Sequence, residues 1–251
     1  MKIIDLSSTI ENCSVSPVDQ VEITYQDHKA GAESVENMMG VPATLLRDNE
    51  GWAVETIDKL STHGATHVDA PYHYNSVIQG KPAQTIDELP LDWFFRPGIK
   101  LDMRHKNDGE AVTTQDIKNV LEKIGYTLNP FDIVLIQTGC DAFYGQPDYM
   151  AHGSGATAEA TQWLFDQGIR VMGIDAWGWD RPLHLQAQEA IAQNKPGIFW
   201  EAHQADLPYS QIERLMNLDQ LPETGFTVAC FPLKLKGASA APARVVAILN
   251  D

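Results

Sequence analysis

Three of the eight histidines of this chain fall within eleven residues, at positions 63, 67 and 73. Uniform scatter would place roughly a third of one histidine in a window of that size. In the same window Asp69 follows His67 by two residues, so on an extended chain both side chains point to one face. His63 lies four residues before His67, and Gly64 gives the backbone freedom to turn so that a third ligand joins them. We therefore predict a loop leading into a strand, with three ligands for one cation.

Imidazole and carboxylate ligands together suit zinc, manganese or iron, and three protein ligands leave positions open for water and substrate. Such an ion lowers the pKa of its bound water towards about 7 and polarises a carbonyl oxygen, so hydrolysis needs no protein nucleophile. His73, just beyond a turn at Pro71, is then available for proton transfer. The pattern indicates a metal-dependent hydrolase with His63, His67 and Asp69 as ligands and His73 as the catalytic residue. Any one of these histidines could be an ordinary polar residue in a loop. That alternative does not account well for the whole cluster.

The composition of the chain limits its expected partners and location. With 251 residues, of which 43% are hydrophobic, one globular domain over residues 1–251 is predicted. A formal net charge of -16 repels polyanions, so neither nucleic acid nor an anionic membrane is an expected partner. The amino terminus lacks the apolar stretch of a signal peptide, and no run approaches the roughly 20 apolar residues that cross a bilayer, which favours the cytoplasm. Cys13, Cys140 and Cys230 are odd in number and far apart, so neither a disulfide framework nor a cysteine-based zinc site is expected.

Hydrophobic periodicity predicts the elements that must position these residues. Apolar clusters with β-branched residues predict buried strands over 2–6, 98–103, 133–137 and 170–174. A capping-box spacing from Thr113 to Asp116, followed by apolar residues at helical intervals and by Gly125, predicts one helix, and a second is predicted between Ala156 and Gly168. Such alternation favours an α/β protein with part of its sheet parallel. The opening third and the carboxyl end instead predict strands with little helix between them, over 52–60, 227–235 and 244–249, so we expect a mixed sheet.

The string His63-Gly-Ala-Thr-His-Val-Asp-Ala-Pro-Tyr-His73 resembles the His-x-Gly-Thr-His-x-Asp-x-Pro-x-His signature of the cyclase family, which includes bacterial kynurenine formamidases and isatin hydrolases. Segments that begin at Asp5, Gly173 and Gly237 resemble further family segments in the expected order, so the resemblance covers nearly the whole chain. Ala65 stands where the signature has glycine, which affects the shape of the loop and not the ligand spacing. The resemblance implies a single-domain swivelling β/β/α fold.

The same resemblance implies functions for particular residues. Residues matching His63, His67 and Asp69 would bind Zn²⁺ or Mn²⁺, and His73 would be the catalytic acid and base. In formamidase-like members a further histidine and a glutamate, twelve residues apart, hold a second metal ion. The matching region of this chain places His203 and Glu213 ten residues apart. The resemblance therefore leaves open whether one ion or two ions bind. Gln211 shares a strand face with Glu213, and either side chain could approach the metal.

Two tryptophans follow a predicted strand end in the segment Asp175-Ala-Trp-Gly-Trp-Asp-Arg181, where α/β proteins commonly place substrate loops. An aromatic substrate could stack on Trp177 or Trp179, and Arg181 could bind a product carboxylate. Packing in a core or an interface is an equal alternative for the tryptophans, as an ion pair is for the arginine. The segment is more similar to the isatin-hydrolase branch, which implies ring opening of a cyclic amide such as isatin, with cleavage of an N-formyl amide such as N-formylkynurenine as the formamidase-like option. The resemblance also implies a homodimer or homotetramer that acts on a small molecule.

Other functions are compatible with parts of the pattern. His67 and Asp69 with a distant histidine (His152, His184 or His203) reproduce the triad of a non-haem iron oxygenase, although that triad usually sits on an all-β scaffold. Cys140 follows a predicted strand end, where a nucleophile could be exposed, but buried and inert cysteines are far commoner. A catalytically inactive, metal-binding family member would keep the same fold.

Overall fold

The structure is a computed structural model that describes residues 1–12 and 20–249. Its contacts group into a larger unit of residues 1–9 and 65–251 and a smaller unit of residues 10–64. The expectation of one domain over the whole chain therefore stays a prediction. Cys13 lies outside the described residues. Among the described residues, none of the helices combines the length and the apolar character needed to cross a membrane.

The elements follow in chain order. The strands of the described chain are β1 Lys2–Asp5, β2 Val21–Gln26, β3 Val54–Leu60, β4 His67–Asp69, β5 Val77–Ile78, β6 Lys81–Pro82, β7 Phe95–Asp102, β8 Ala111–Val112, β9 Ile133–Gln137, β10 Gly155–Ala156, β11 Val171–Ile174, β12 Ser210–Glu213, β13 Phe226–Ala229, β14 Ala240–Pro242 and β15 Val246–Leu249. The α-helices are α1 His28–Met39, α2 Pro71–Tyr74, α3 Thr114–Ile124, α4 Ala158–Asp166 and α5 Leu183–Gln193.

A nine-stranded sheet forms the centre of the larger unit, in the order β1-β15-β13-β7-β9-β11-β12-β4-β14. The middle strands β7, β9, β11 and β12 are parallel to their neighbours in that set, whereas the strands on both sides of them pair antiparallel. The predicted α/β class with a mixed sheet is confirmed.

Strand β9 shows why both faces of this sheet are covered. Its five residues are all buried, as expected for a parallel strand with packing on each side. Because side chains alternate along a strand, Val134 and Ile136 enter one hydrophobic cluster while Ile133 and Leu135 enter another.

The predicted helices α3 and α4 pack on the first of these clusters. Thr113 caps α3 through a capping box with Asp116, and Gly125 ends the helix in the left-handed conformation at φ 66°, as the sequence predicts. Helix α4 begins after Thr157, whose side chain accepts a hydrogen bond from the amide of Ala160. Both helices therefore begin and end close to the residues that the sequence marks.

The smaller unit contains the antiparallel pair β2 and β3 and the helix α1. The strand over 54–60 agrees with the prediction, but the expectation of little helix in the opening third is wrong. Helix α1 has twelve residues, is capped by the Asp27 side chain and ends at Gly40 with φ 69°. Its apolar residues are too few to give a clear helical stripe, so local capping was the better signal.

At the carboxyl end, the predicted strands over 227–235 and 244–249 are shorter than expected. Strand β13 ends at Ala229, and the ladder of β15 begins at Val246. Residues 230–239 lie between the strands β13 and β14 and include a turn at Gly237 with φ 70°.

Candidate functional site

Strands β4 and β12 bring the predicted ligands together in the larger unit. They pair antiparallel with His67 opposite Glu213 and Asp69 opposite Gln211. Since residues two apart on a strand share a face and directly opposite residues are neighbours across it, these four side chains lie on one face. All four are buried, at 6% exposure or less. The predicted loop leading into a strand at His67 is confirmed, and so is the shared face of Gln211 and Glu213.

The donor atoms of this group are close enough for one ion. His67 Nε2 lies 3.3 Å from Asp69 Oδ1 and 3.5 Å from Glu213 Oε2. Ligand atoms of the three residues all lie within 4.8 Å of one another. The other ring nitrogen of His67, Nδ1, lies 2.9 Å from the Ala65 carbonyl oxygen, which makes Nδ1 a donor and directs Nε2 towards the carboxylates.

The electrostatics of this group favour a cation. Burial works against a charged His67, yet the carboxylates of Asp69 and Glu213 raise the pKa of that imidazole above its ordinary value. Burial and the neighbouring Asp69 push the pKa of Glu213 up, but the hydrogen bond with His203 and the charges of both histidines bring it below its usual range. Two carboxylates and an imidazole nitrogen in a buried space form a donor set that suits a divalent ion.

His203 extends the site on the other side of Glu213. Its Nε2 lies 3.5 Å from Glu213 Oε1, and its Nδ1 lies 2.5 Å from Asp180 Oδ2. The carboxylate of Asp180 also accepts hydrogen bonds from the amides of Ala202 and His203. This arrangement raises the pKa of His203, because the pull of Asp180 and Glu213 exceeds the opposing effect of burial. The spacing of ten residues therefore still brings His203 beside Glu213.

His73 lies on helix α2, which directly follows strand β4. Its amide donates to the Ala70 carbonyl at 2.8 Å, so the chain turns at once after the strand. The imidazole is half-buried, and one of its nitrogens lies within 4.8 Å of an Asp69 carboxylate oxygen. Its ring centroid is 5.7 Å from that of His203. This predicted catalytic residue thus sits at the partly exposed edge of the buried group.

His63 belongs to the smaller unit, one residue before its last residue, Gly64. It lies in a turn in which its amide donates to Ser61 Oγ at 3.3 Å and the Gly64 amide donates to the Ser61 carbonyl at 2.9 Å. Its role as a metal ligand stays a prediction.

The predicted substrate residues separate into different environments. Trp177 is half-buried, with the Arg214 guanidinium 5.0 Å above its ring. Trp179 is fully buried, and its indole Nε1 donates to Thr161 Oγ1 at 2.9 Å, so the structure places it in the core and away from any substrate surface. Arg181 forms a two-bond ion pair with Glu189, which agrees with the ion-pair alternative, and binding of a product carboxylate stays a prediction.

The remaining predicted residues are Gln211 and Cys140. Gln211 Nε2 donates to the Tyr209 hydroxyl at 2.5 Å, while its buried Oε1 has no hydrogen-bond partner among residues 1–12 and 20–249. Cys140 is buried, and burial together with nearby carboxylates raises the pKa of its thiol far above the ordinary value. The thiol therefore stays protonated, which argues against the nucleophilic alternative.

Sequence reasoning missed two residues beside the site, Asp180 and Trp200. The backbone amide of Trp179 donates to Glu213 Oε1 at 3.0 Å, and the next residue, Asp180, holds His203. The loop of the two tryptophans thus supports the side chains of Glu213 and His203, which are predicted metal ligands. A buried histidine ligand usually donates its other nitrogen to a carboxylate, and that rule is the only signal that points to a residue such as Asp180. Trp200 carries no such signal, because its contacts depend on a turn with no periodicity.

Replacing Trp179 with alanine tests its placement in the core. We expect the free energy of unfolding to fall by about 3–5 kcal/mol, since a fully buried indole is lost and a cavity is left. Trp177→Ala is the matched control, and because that side chain is half-exposed it should lose less than half as much. Chemical denaturation of both variants measures the difference. Equal losses would contradict the assignment of Trp179 to the core.

Comparison with known proteins identifies relatives of this chain. A family model described as a putative cyclase matches residues 4–181. The chain is 26% identical to cyclase-like protein 1 of Oryza sativa subsp. japonica over 76% of this chain and 63% of that protein, so it spans less than two thirds of that relative. It is 29% identical to the kynurenine formamidase of Salinibacter ruber over 77% of this chain and 78% of that protein, and 25% identical to the isatin hydrolase of Roseibium aggregatum over 76% and 73%.

A solved structure shows the same fold. Isatin hydrolase A from Labrenzia aggregata superposes with a TM-score of 0.75, covering 100% of this chain and 94% of that chain at 24% sequence identity. With the family model, this likeness of fold confirms the resemblance that the signature around His67 suggests. The chain is a member of the putative cyclase family.

Proposed function

We propose that this chain is a divalent-metal-dependent hydrolase that cleaves an amide-type C–N bond of a small molecule. The observation that carries the proposal is the buried group of His67, Asp69 and Glu213, with His73 at its partly exposed edge. Relatives named kynurenine formamidase and isatin hydrolase support the two substrate options, an N-formyl amide such as N-formylkynurenine and a cyclic amide such as isatin.

Zn²⁺ and Mn²⁺ are the ions we propose, because imidazole and carboxylate donors suit both. His67, Asp69 and His63 would hold the first ion, and His203 and Glu213 would complete a second set if two ions bind. A bound ion would supply Lewis-acid chemistry, by making a water more acidic and polarising the substrate carbonyl. The oxygenase alternative is less favoured, since the sheet is mixed α/β and Glu213 adds a second carboxylate to the buried group.

The side chains of this protein divide the remaining work. The Ala65 carbonyl fixes the tautomer of His67, and the Trp179 amide fixes one oxygen of Glu213, so the donors are already oriented before a ligand arrives. His73 can take a proton from the attacking water and return it to the departing amide nitrogen. A partly exposed position suits that work, because His73 must reach both the substrate and the buried group. The products would be a carboxylate and an amine, or a carboxylate and an amide where the substrate is a cyclic imide.

Trp177 remains our candidate for contact with an aromatic substrate, since it keeps exposed surface, and Gln211 for a polar contact through its buried carbonyl oxygen. We further propose a cytoplasmic enzyme that assembles as a homodimer or homotetramer. Size-exclusion chromatography with light scattering measures the assembly directly.

Metal content followed by turnover tests the proposed activity. Protein stripped with a chelator and reloaded with Zn²⁺ or Mn²⁺ should bind one or two ions per chain. The reloaded protein should hydrolyse N-formylkynurenine, isatin or a simple cyclic imide, and the stripped protein should not. Anaerobic turnover without a 2-oxoacid excludes the oxygenase. Stoichiometric metal binding without turnover of any of these compounds would instead favour an inactive family member.

A further inference from the structure

Four aromatic rings meet at the edge of the buried group. Trp200 stacks on His203 with ring centroids 4.4 Å apart and planes at 18°, and it meets His73 edge-on at 5.1 Å and 88°. Tyr74 contacts both histidines from the helix α2 side, at 6.0 Å and 5.3 Å. The rings of His203 and Tyr74 are buried, whereas those of His73 and Trp200 are partly exposed. His73 and Trp200 are therefore the members of this ring group that solvent, and a ligand arriving from it, can reach.

The backbone at Trp200 is held in an unfavourable conformation. Its φ is 62°, in the left-handed region that a bulky residue rarely adopts. Such strain persists only where surrounding contacts impose it, and it clusters at functional sites. In this conformation the Trp200 amide donates a hydrogen bond of 2.9 Å to Gln186 Oε1, and the Trp200 carbonyl accepts one of 3.0 Å from the Gln204 amide.

Gln186 links this conformation to the rest of the site. It is fully buried on helix α5, and its Nε2 donates to Asp180 Oδ1 at 2.9 Å. Asp180 in turn holds His203. Gln186 and Asp180 are hydrogen-bonded to each other, and each binds one partner of the stack: Gln186 binds the Trp200 amide and Asp180 binds the His203 imidazole. The indole is therefore pre-organised beside His73 before any substrate binds.

We propose that Trp200 is a specificity-determining residue, whose indole forms an aromatic wall beside His73 and selects substrates with a planar aromatic ring. This inference rests on the proposed hydrolase function and names the substrate class of that same site. An aromatic ring gains edge and face contacts with the indole that a small aliphatic ring cannot make. These contacts contribute mainly to substrate binding, so loss of the indole should raise KM more than it lowers kcat.

Isatin and succinimide, one with and one without an aromatic ring, are the probes, and the zinc-loaded protein is the enzyme. In Trp200→Ala the ratio of kcat/KM for isatin to that for succinimide should fall by about tenfold or more, chiefly through KM. Trp200→Phe should keep that ratio within about threefold, since a ring remains. Phe199→Ala is the matched control: this neighbouring side chain is 43% exposed, and its loss should leave the ratio unchanged. Metal content should be the same in all four proteins.

An equal fall for both compounds would overturn the inference, because it would mean that Trp200 only supports His73. An unchanged ratio in Trp200→Ala would overturn it as well. If the wild-type protein turns over neither compound, the ring-opening option of the proposed function fails, and calorimetric binding then decides the inference separately. Isatin should bind wild-type protein about tenfold or more tightly than Trp200→Ala. Equal binding, or no binding to either protein, counts against an aromatic wall.

Discussion

Replacing His73 with alanine is expected to lower kcat by about 10²- to 10⁴-fold, the usual contribution of a positioned general acid or base. His73 sits on helix α2 at the partly exposed edge of the site, and the buried donors of His67, Asp69 and Glu213 remain when it is removed. Metal content should therefore stay close to that of the wild-type protein. Steady-state turnover and elemental analysis of the same preparation measure both quantities.

His152→Ala is the matched control for this loss. Both ring nitrogens of His152 are engaged, with Asp108 at 2.8 Å and Asp148 at 3.2 Å, and it belongs to no part of the proposed site. Its removal should leave turnover unchanged. A His73 variant with full activity would remove that residue from the mechanism, and a variant that loses its metal would assign His73 to the ligands instead.

Replacing Asp69 with asparagine should abolish the response of the protein to metal. At a metal concentration of about 100 times Kd, binding adds roughly 2.7 kcal/mol to the wild-type stability. In a domain of this size that corresponds to a rise in Tm of about 5–10 °C. Asp69→Asn should show little of this rise and little turnover, because the group loses one of its two carboxylates.

The same substitution should change the stability of the metal-free protein little. Asp69 repels Glu213 but attracts His67 in the buried space, so an amide in its place relieves one interaction and removes the other. Metal-free Asp69→Asn should therefore unfold within a few degrees of metal-free wild-type protein. Asp132→Asn is the control, since this buried carboxylate accepts hydrogen bonds from Tyr126 and Asn129. The Asp132→Asn variant should lose stability but keep the metal-induced rise in Tm. A metal-induced rise in Tm that persists in Asp69→Asn would contradict the proposed ligand set.

Local signals predicted much of the fold. A short run of apolar, β-branched residues identified β9, and Thr113 with Gly125 marked both ends of α3, because these features depend on residues close in sequence. Helix α1 was missed, since its burial is limited to Gly31, Ala32 and Val35 and gives little periodicity. The short strands at the carboxyl end were overextended, because apolar residues that pack in turns carry the same composition as strand residues.

The candidate site was predictable where its residues are close in the sequence or share a strand. His67 and Asp69 follow from spacing, and Gln211 with Glu213 follows from alternation. The pairing of β4 with β12 and the hydrogen bond between His203 and Asp180 depend on tertiary structure. The spacing of residues in the sequence does not predict either of them. Ala65 shows a further limit, because it adopts φ 55° where the family signature has glycine, so the loop keeps a left-handed turn despite the substitution.

The antiparallel pairing of β4 with β12 means that insertions should be tolerated outside these strands and not within them. One extra residue inside either strand would turn every following side chain to the opposite face and separate His67 from Glu213. Residues 204–209 lie outside the ladder, so a longer or shorter connection there leaves the facing pairs intact. Natural variants of the site should therefore differ in length before Ser210 and remain constant in length from Ser210 to Glu213.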